Sequence, residues 1–129
     1  MDDFFKTYHV PAETFIAHTT DGFCSITLND VDYLEAQNKW VLVYLSDGKV
    51  QKLREQFSKC EGIFTPEKGF FKCHRSYIVN LSRIRQFTRT QITTAFSSSV
   101  PISRNSYAAF KDAYFAFMFD SGTNFTTLD

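Results

Sequence analysis

The chain has 129 residues, 43% of them hydrophobic and 17% aromatic, with 14 Lys and Arg balancing 14 Asp and Glu. That length suits one domain with its own core, and the 15 Phe exclude a disordered or solvating segment. No apolar run approaches the roughly 18 residues of a spanning helix and no charged-then-apolar leader opens the chain, so a soluble, cytoplasmic protein is expected.

In chain order, Thr14 to His18 and Phe23 to Leu28 are short β-branched and aromatic runs flanking "TTDG", which predicts a hairpin turned at Asp21-Gly22. Lys39 to Leu45 sets Trp40, Leu42 and Tyr44 against Val41, Val43 and Leu45, apolar on both faces, so this strand is expected to be covered on both sides. Asp47-Gly48 turns it back into Lys49 to Lys52. Leu53, Phe57 and Cys60 at i, i+4 and i+7 predict a short helix that stops at Gly62, with Pro66 closing the region. Phe71 to Val79 reads as one strand, and Ile84 to Phe96 as two strands around Arg89-Thr90. Ser97 to Ser99 lead into a short strand from Val100 to Ser103, where Pro101 marks a sheet edge. Tyr107, Phe110, Tyr114 and Phe117 recur at helical spacing, giving a C-terminal amphipathic helix with Ser103 or Asn105 as N-cap. The Ser/Thr/Gly/Asn-rich end from Asp120 onward is expected to fray.

Charge is segregated along the chain. From Lys68 to Lys111 there are eight Lys or Arg and no Asp or Glu, while the remaining segments hold six cations and all 14 carboxylates. One third of the chain therefore carries +8 and the rest −8. Such a stretch repels itself unless a polyanion lies opposite, or unless acids from the other segments fold back onto it. Lys72, Arg75, Arg83 and Arg85 stand among Phe70, Phe71, Tyr77, Ile78, Val79 and Leu81, which can fill a core. Arg75 and Arg104 neighbour Ser76, Tyr77, Ser103, Asn105 and Ser106, side chains that hydrogen-bond phosphate oxygens, and Arg also forks onto a guanine edge.

Enzymatic chemistry finds little support. Cys73 and His74 are adjacent on a predicted strand and point to opposite faces, which prevents a thiol and its base from meeting. Asp30, Asp32 and Glu35 read as a solvated strand edge, and no Gly-rich phosphate loop is present. Cys24, Cys60 and Cys73 form no C-x-x-C pair and have no histidines at ligand spacing, so reduced thiols and no metal or cofactor are expected.

Three blocks, "DVDYLEAQNKWVLVYLSDGK", "FFKCHRSYIVNLSRI" and "PISRNSYAAFK", resemble in order and spacing the LytTR-type DNA-binding domain of bacterial response regulators. The resemblance covers residues 14–118, leaving residues 1–13 as a lead-in and 119–129 as a flexible tail. It implies a mostly β, elongated domain of packed antiparallel sheets, with one short internal helix and the C-terminal helix. It also implies sequence-specific binding of duplex DNA for transcription regulation, with loops entering successive major grooves and two copies on a repeated site. The contacts it implies are Asn38, Lys39 and Trp40 in a first loop, Arg75 and Ser76 in a second, and Arg104 and Asn105 in a third. Lys72, Arg83 and Arg85 are expected to track phosphate, and His74 to hold the second loop. The Lys39-Trp40 pair departs from the Asn-Tyr-like pair common in the family. Nothing in Met1 to Glu13 has the phosphoacceptor carboxylates of the receiver domain common in the family, so the expectation is either a stand-alone regulator or a receiver domain or partner protein supplied elsewhere. The alternatives are an interaction module of the same fold that has lost DNA binding, with the acidic segments covering the basic face, and a small enzyme built on Cys73 or the Asp30 to Glu35 carboxylates.

Overall fold

The computed structural model describes residues 13–120. The predicted lead-in up to Ala12 and the tail from Ser121 lie outside them. Among the described residues ten strands follow one another as β1 (Thr14–His18), β2 (Phe23–Thr27), β3 (Val31–Gln37), β4 (Trp40–Leu45), β5 (Val50–Leu53), β6 (Phe70–His74), β7 (Tyr77–Asn80), β8 (Ile84–Phe87), β9 (Gln91–Thr94) and β10 (Ser99–Pro101). A short helix α1 (Phe57–Glu61) separates β5 from β6, and α2 (Tyr107–Asp120) follows β10. All strand pairs are antiparallel, in a β1-β2 hairpin, a five-stranded sheet ordered β5-β4-β3-β7-β6 and a three-stranded sheet ordered β10-β9-β8.

Strand alternation divides the five-stranded sheet into two packed faces. On one face Leu34, Val41, Val43, Leu53 and Ile78 bury against Phe15, Ala17 and Ile26 of the hairpin and Cys60 of α1. On the other, Tyr33, Cys73 and Val79 bury with Ile92 and Val100 of the small sheet and Phe110 of α2. Phe110 is wholly buried and meets the rings of Phe71 and Phe87 at centroid distances of 5.8 and 5.0 Å. Val41 and Val43 of β4 are buried while Leu42 and Tyr44 are half-buried, the two-sided cover its apolar alternation predicts. Among the described residues no helix is long and apolar enough to cross a membrane.

Several local expectations are revised. The first hairpin closes over four residues, with Thr19 N–H donating to Gly22 O (2.8 Å) and Gly22 N–H to Thr19 Oγ1 (3.1 Å), so the turn centres on Thr20-Asp21 and not on Asp21-Gly22. Leu53 ends a strand, and the helix begins only at Phe57: the i, i+4 match of Leu53 and Phe57 is a coincidence of spacing. The expected Phe71 to Val79 strand is two strands, broken at Arg75-Ser76, with a register shift between Phe71 and His74. Asp32 and Glu35 do not lie on a solvated edge. Both belong to β3, the central strand, and Asp32 is 4% exposed. Pro101 does occupy an edge strand, where its missing N–H costs no ladder bond. A 3-10 turn, Arg104–Ser106, precedes α2, with Ser103 Oγ hydrogen-bonded to Ser106 Oγ (2.6 Å). The helix continues to Asp120, two residues into the expected tail. Its inward stripe is the predicted Tyr107, Phe110, Tyr114 and Phe117, to which Phe115, Met118 and Phe119 add apolar residues outside the stripe.

Phe110 ties α2 to both sheets, so Phe110→Ala is expected to lower unfolding free energy by about 3–5 kcal/mol in urea titrations. Ile16→Ala, on the exposed face of β1, should change it by no more than about 0.5 kcal/mol.

Candidate functional site

One end of the five-stranded sheet gathers three of the predicted loops. Gln37 pairs with Trp40 across a two-residue turn in which Asn38 takes a left-handed φ of 54°, a conformation that Asn tolerates better than most residues. Tyr77 pairs with Glu35, which brings the Arg75-Ser76 turn alongside, and Ala36 N–H donates to Ser76 O (2.8 Å) to join the two turns directly. Ser103 N–H donates to Cys73 O (2.9 Å), so the loop carrying Arg104 and Asn105 hangs from the same end of β6. Ile102 N–H in turn donates to Thr90 O (2.9 Å), drawing in the β8-β9 turn.

Side chains lock this arrangement. Glu35 Oε1 accepts from Tyr44 OH (2.9 Å) and its Oε2 from Tyr77 OH (3.0 Å), spanning β4, β3 and β7. Burial, followed by the hydrogen bond to the Glu35 carboxylate, pushes the Tyr77 phenol up to about 12 and the Tyr44 phenol up as well. Both hydroxyls therefore keep their protons and remain donors at neutral pH. Ser76 N–H donates to His74 Nδ1 (3.1 Å), and the His74 ring meets Tyr77 edge-on at 5.4 Å, the loop-holding role expected of His74.

The basic residues separate into two groups. Lys68 pairs with Glu13, Lys72 Nζ lies 3.0 Å from Glu61 Oε2, and Arg83 Nε lies 3.6 Å from Asp32 Oδ1 while its Nη2 donates to Asn29 O (2.6 Å). These three cations have acids from the carboxylate-rich segments folded onto them. Burial pushes the Asp32 carboxyl up, with the Arg83 guanidinium opposing. Arg83 lies beside Asp32 at the start of β3, about six residues at 3.3 Å each, or about 20 Å, from the Asn38 turn. Arg75, Arg85, Arg104, Asn105, Asn38 and Lys39 are exposed, and among the described residues none of the cations in this group forms an ion pair. Trp40 is half-buried under Lys52, whose Nζ lies 4.2 Å from its ring centroid. Arg83 ends a 3-10 turn whereas Arg85 lies on β8, where a register shift falls between Ile84 and Gln86.

Arg89 escaped the sequence reading. Its guanidinium lies 5.1 Å over the Tyr107 ring, and with Thr90, Ile102, Arg104 and Tyr107 it lines a cavity of about 350 Å³. Its position in a turn of the basic segment was the available signal. What the end of the sheet presents is a set of unpaired cations on fixed turns, interleaved with amide and hydroxyl donors, an arrangement that suits a polyanion.

Among the described residues no group of three or more His, Cys, Asp or Glu is placed to hold a metal. Cys73 is wholly buried, and its Sγ donates to Pro101 O (3.4 Å). Burial pushes its thiol up to about 12, with a backbone hydrogen bond opposing.

The family model of the LytTr DNA-binding domain matches residues 21–114. The transcriptional regulatory protein YpdB of Escherichia coli is 36% identical over 93 residues, which cover 65% of this chain and 36% of that protein. YpdB of Shigella flexneri is 32% identical over 90 residues, with the same coverage of 65% and 36%. The chain thus spans about a third of the length of these curated relatives. The LytTr DNA-binding domain of a Bacillus cereus protein described as a methyl-accepting/DNA response regulator shares the fold, with a TM-score of 0.65 at 24% identity over 81% of this chain and 97% of that one.

Cys60 and Cys73 are fully buried with thiols pushed up to about 12. Titration of the native protein with a thiol reagent at pH 8 should therefore modify Cys24 alone on the timescale of minutes, and all three cysteines only after denaturation. Rapid native modification of Cys73 would refute this burial.

Proposed function

Because the chain belongs to the LytTr DNA-binding domain family, we propose that it binds duplex DNA sequence-specifically as part of a transcription regulator, through the three turns at one end of its central sheet. The observation that carries this reading is the set of backbone bonds from Ala36 to Ser76 and from Ser103 to Cys73, which hold Asn38-Lys39, Arg75-Ser76 and Arg104-Asn105 on one rigid frame. Arg104 is exposed at the start of a 3-10 turn, with backbone fixed on either side, and so is suited to a bidentate contact with guanine. Arg75 and Lys39 approach the duplex from the adjoining turns, with Asn38 and Ser76 as hydrogen-bonding partners. Trp40, held under Lys52, supports the first turn from beneath.

Arg85 and Arg89, on β8 and its turn, track phosphate in this reading. Lys72 and Arg83 have weaker claims, since each already faces a carboxylate. The loops enter successive major grooves, and two copies occupy a repeated site in the cytoplasm, with a receiver domain or partner protein supplied elsewhere. The chemistry is recognition without catalysis.

With about five to seven phosphates neutralised, affinity for duplex DNA should fall with salt at a log-log slope near −5 to −6. A slope near zero, or no binding at about 50 mM salt, would contradict the reading. Once footprinting has defined the operator, Arg104→Ala should cost about 1–3 kcal/mol on it with little effect on random duplex. Arg85→Ala should weaken both alike and reduce the slope by about one unit. Equal losses on both duplexes for Arg104→Ala would remove base reading from the third loop.

A further inference from the structure

A cleft of about 680 Å³ opens beside the Asn38-Lys39 turn, walled by His18 and Thr19 at the end of β1 and by Arg54, Glu55 and Ser58 beyond β5. We infer that this cleft is a further phosphate subsite, with Arg54 and Lys39 as its cations and a phosphodiester of the DNA backbone as its ligand. The inference rests on the DNA-binding reading and extends the interface to the outer strand of the sheet, outside the basic segment.

Sheet geometry supplies the first argument. Leu53 pairs with Val41, so Arg54 emerges at the same end of the sheet as the Asn38-Lys39 turn. The strand order β5-β4-β3-β7-β6 then ranks Arg54, Lys39 and Arg75 along that end, over about four strand spacings or about 19 Å. One DNA strand carries a charge about every 3.4 Å of axis, so a row of this length faces about five phosphates. Arg104 continues the row past β6, where its loop hangs from Cys73.

The second argument is electrostatic. Arg54 N–H donates to His18 O (2.8 Å), which fixes the backbone while leaving the side chain exposed. Among the described residues neither Arg54 nor Lys39 forms an ion pair. The one carboxylate in the cleft wall is already engaged: the Glu55 side chain is 6% exposed, its Oε2 meets His18 N–H (2.8 Å) and His18 Nδ1 (2.9 Å), and its Oε1 lies 3.3 Å from Lys59 Nζ. Burial acts to raise Glu55, but the donors from His18 and Lys59 prevail and hold its carboxyl below the usual range, so it is ionised and internally compensated at neutral pH. The hydroxyls of Thr19 and Ser58 and the Asn38 amide complete a donor-rich wall suited to phosphate oxygens.

The test compares the 129-residue chain with Arg54→Ala and Arg54→Lys on a mixed-sequence duplex between 50 and 200 mM salt, with thermal melting as the check on folding. Arg54→Ala should reduce the magnitude of the log-log slope by about one, so that its affinity falls about fourfold less than wild type across that range, and Arg54→Lys should restore the slope. An unchanged slope in Arg54→Ala, with wild type binding normally, overturns the cleft subsite alone. Failure of the wild-type chain to bind duplex overturns the DNA reading and the subsite with it. A parallel NMR titration with inorganic phosphate separates the sources of the ligand. If phosphate shifts the cleft residues in wild type but not in Arg54→Ala while the duplex slope stays the same, the ligand is a small phosphorylated molecule and the DNA backbone assignment is wrong.

Discussion

Glu35 sits on the central strand of the sheet, and its two carboxylate oxygens are held by tyrosine hydroxyls from the strands on either side, Tyr44 of β4 and Tyr77 of β7. A carboxylate partly withdrawn from water must find donors, and here the donors are rigid rings whose reach is set by their own strands. Tyr33 stacks on Tyr44 at 4.2 Å and His74 braces Tyr77, so neither hydroxyl swings freely. The lateral offset of β4, β3 and β7 is thereby fixed close to the Asn38-Lys39 and Arg75-Ser76 turns. The backbone bond from Ala36 to Ser76 lies one residue beyond the clamp and repeats the same constraint in the main chain. Everything proposed for the loops depends on this cross-strand tie, because a reading surface made of separate turns is only as defined as the spacing between them.

Electrostatics follows from the same frame. The segregation of charge along the chain suggests a uniformly basic face, yet folding redistributes it. Glu13, Glu61 and Asp32 neutralise Lys68, Lys72 and Arg83, so the carboxylate-rich segments do fold back onto part of the basic segment. They leave uncovered the turns at one end of the sheet. The two exposed pairs, Lys68–Glu13 and Lys72–Glu61, contribute only about 0–1 kcal/mol each to stability, so their larger consequence is to restrict where unpaired positive charge remains. Cations from the acidic segments, Lys39 and Arg54, join that same end. The effective basic surface is thus a property of one end of the sheet and not of a stretch of sequence.

This explains what was legible before the fold was known. Strand alternation in "KWVLVYL" gave the two-sided cover of β4, Pro101 gave the edge position of β10, and the aromatic spacing gave the inward stripe of α2, because each signal is local. The break at Arg75-Ser76 was hidden because apolar residues continue on both sides of it, and only the pairing of β6 with β7 turns the chain there. The central position of β3 was equally hidden, since strand order is non-local and Asp32 and Glu35 look like edge residues until Arg83, Tyr44 and Tyr77 arrive from distant segments. The three loops were located by resemblance together with the Arg and Ser residues they carry. Which cations remain unpaired was beyond reach, as it depends on acids placed by folding.

Separation of frame from reading surface is the last consequence. The residues that set the spacing of the turns, Glu35, Tyr44, His74 and Tyr77, are half-buried and joined by hydrogen bonds to Glu35 or by the ring contact of His74 with Tyr77, whereas Asn38, Lys39, Arg75 and Arg104 are exposed on the turns they occupy and, among the described residues, form no side-chain hydrogen bond between strands. Side chains in the second group can therefore change without moving the loops, since exposed substitutions away from such bonds alter stability little. Asn38 is the exception within that group, because its left-handed backbone restricts replacement to residues such as Gly or Asp. A domain built this way can exchange the side chains at Lys39, Arg75 and Arg104 while keeping one fold, and the price appears only where a substitution reaches the clamp beneath them.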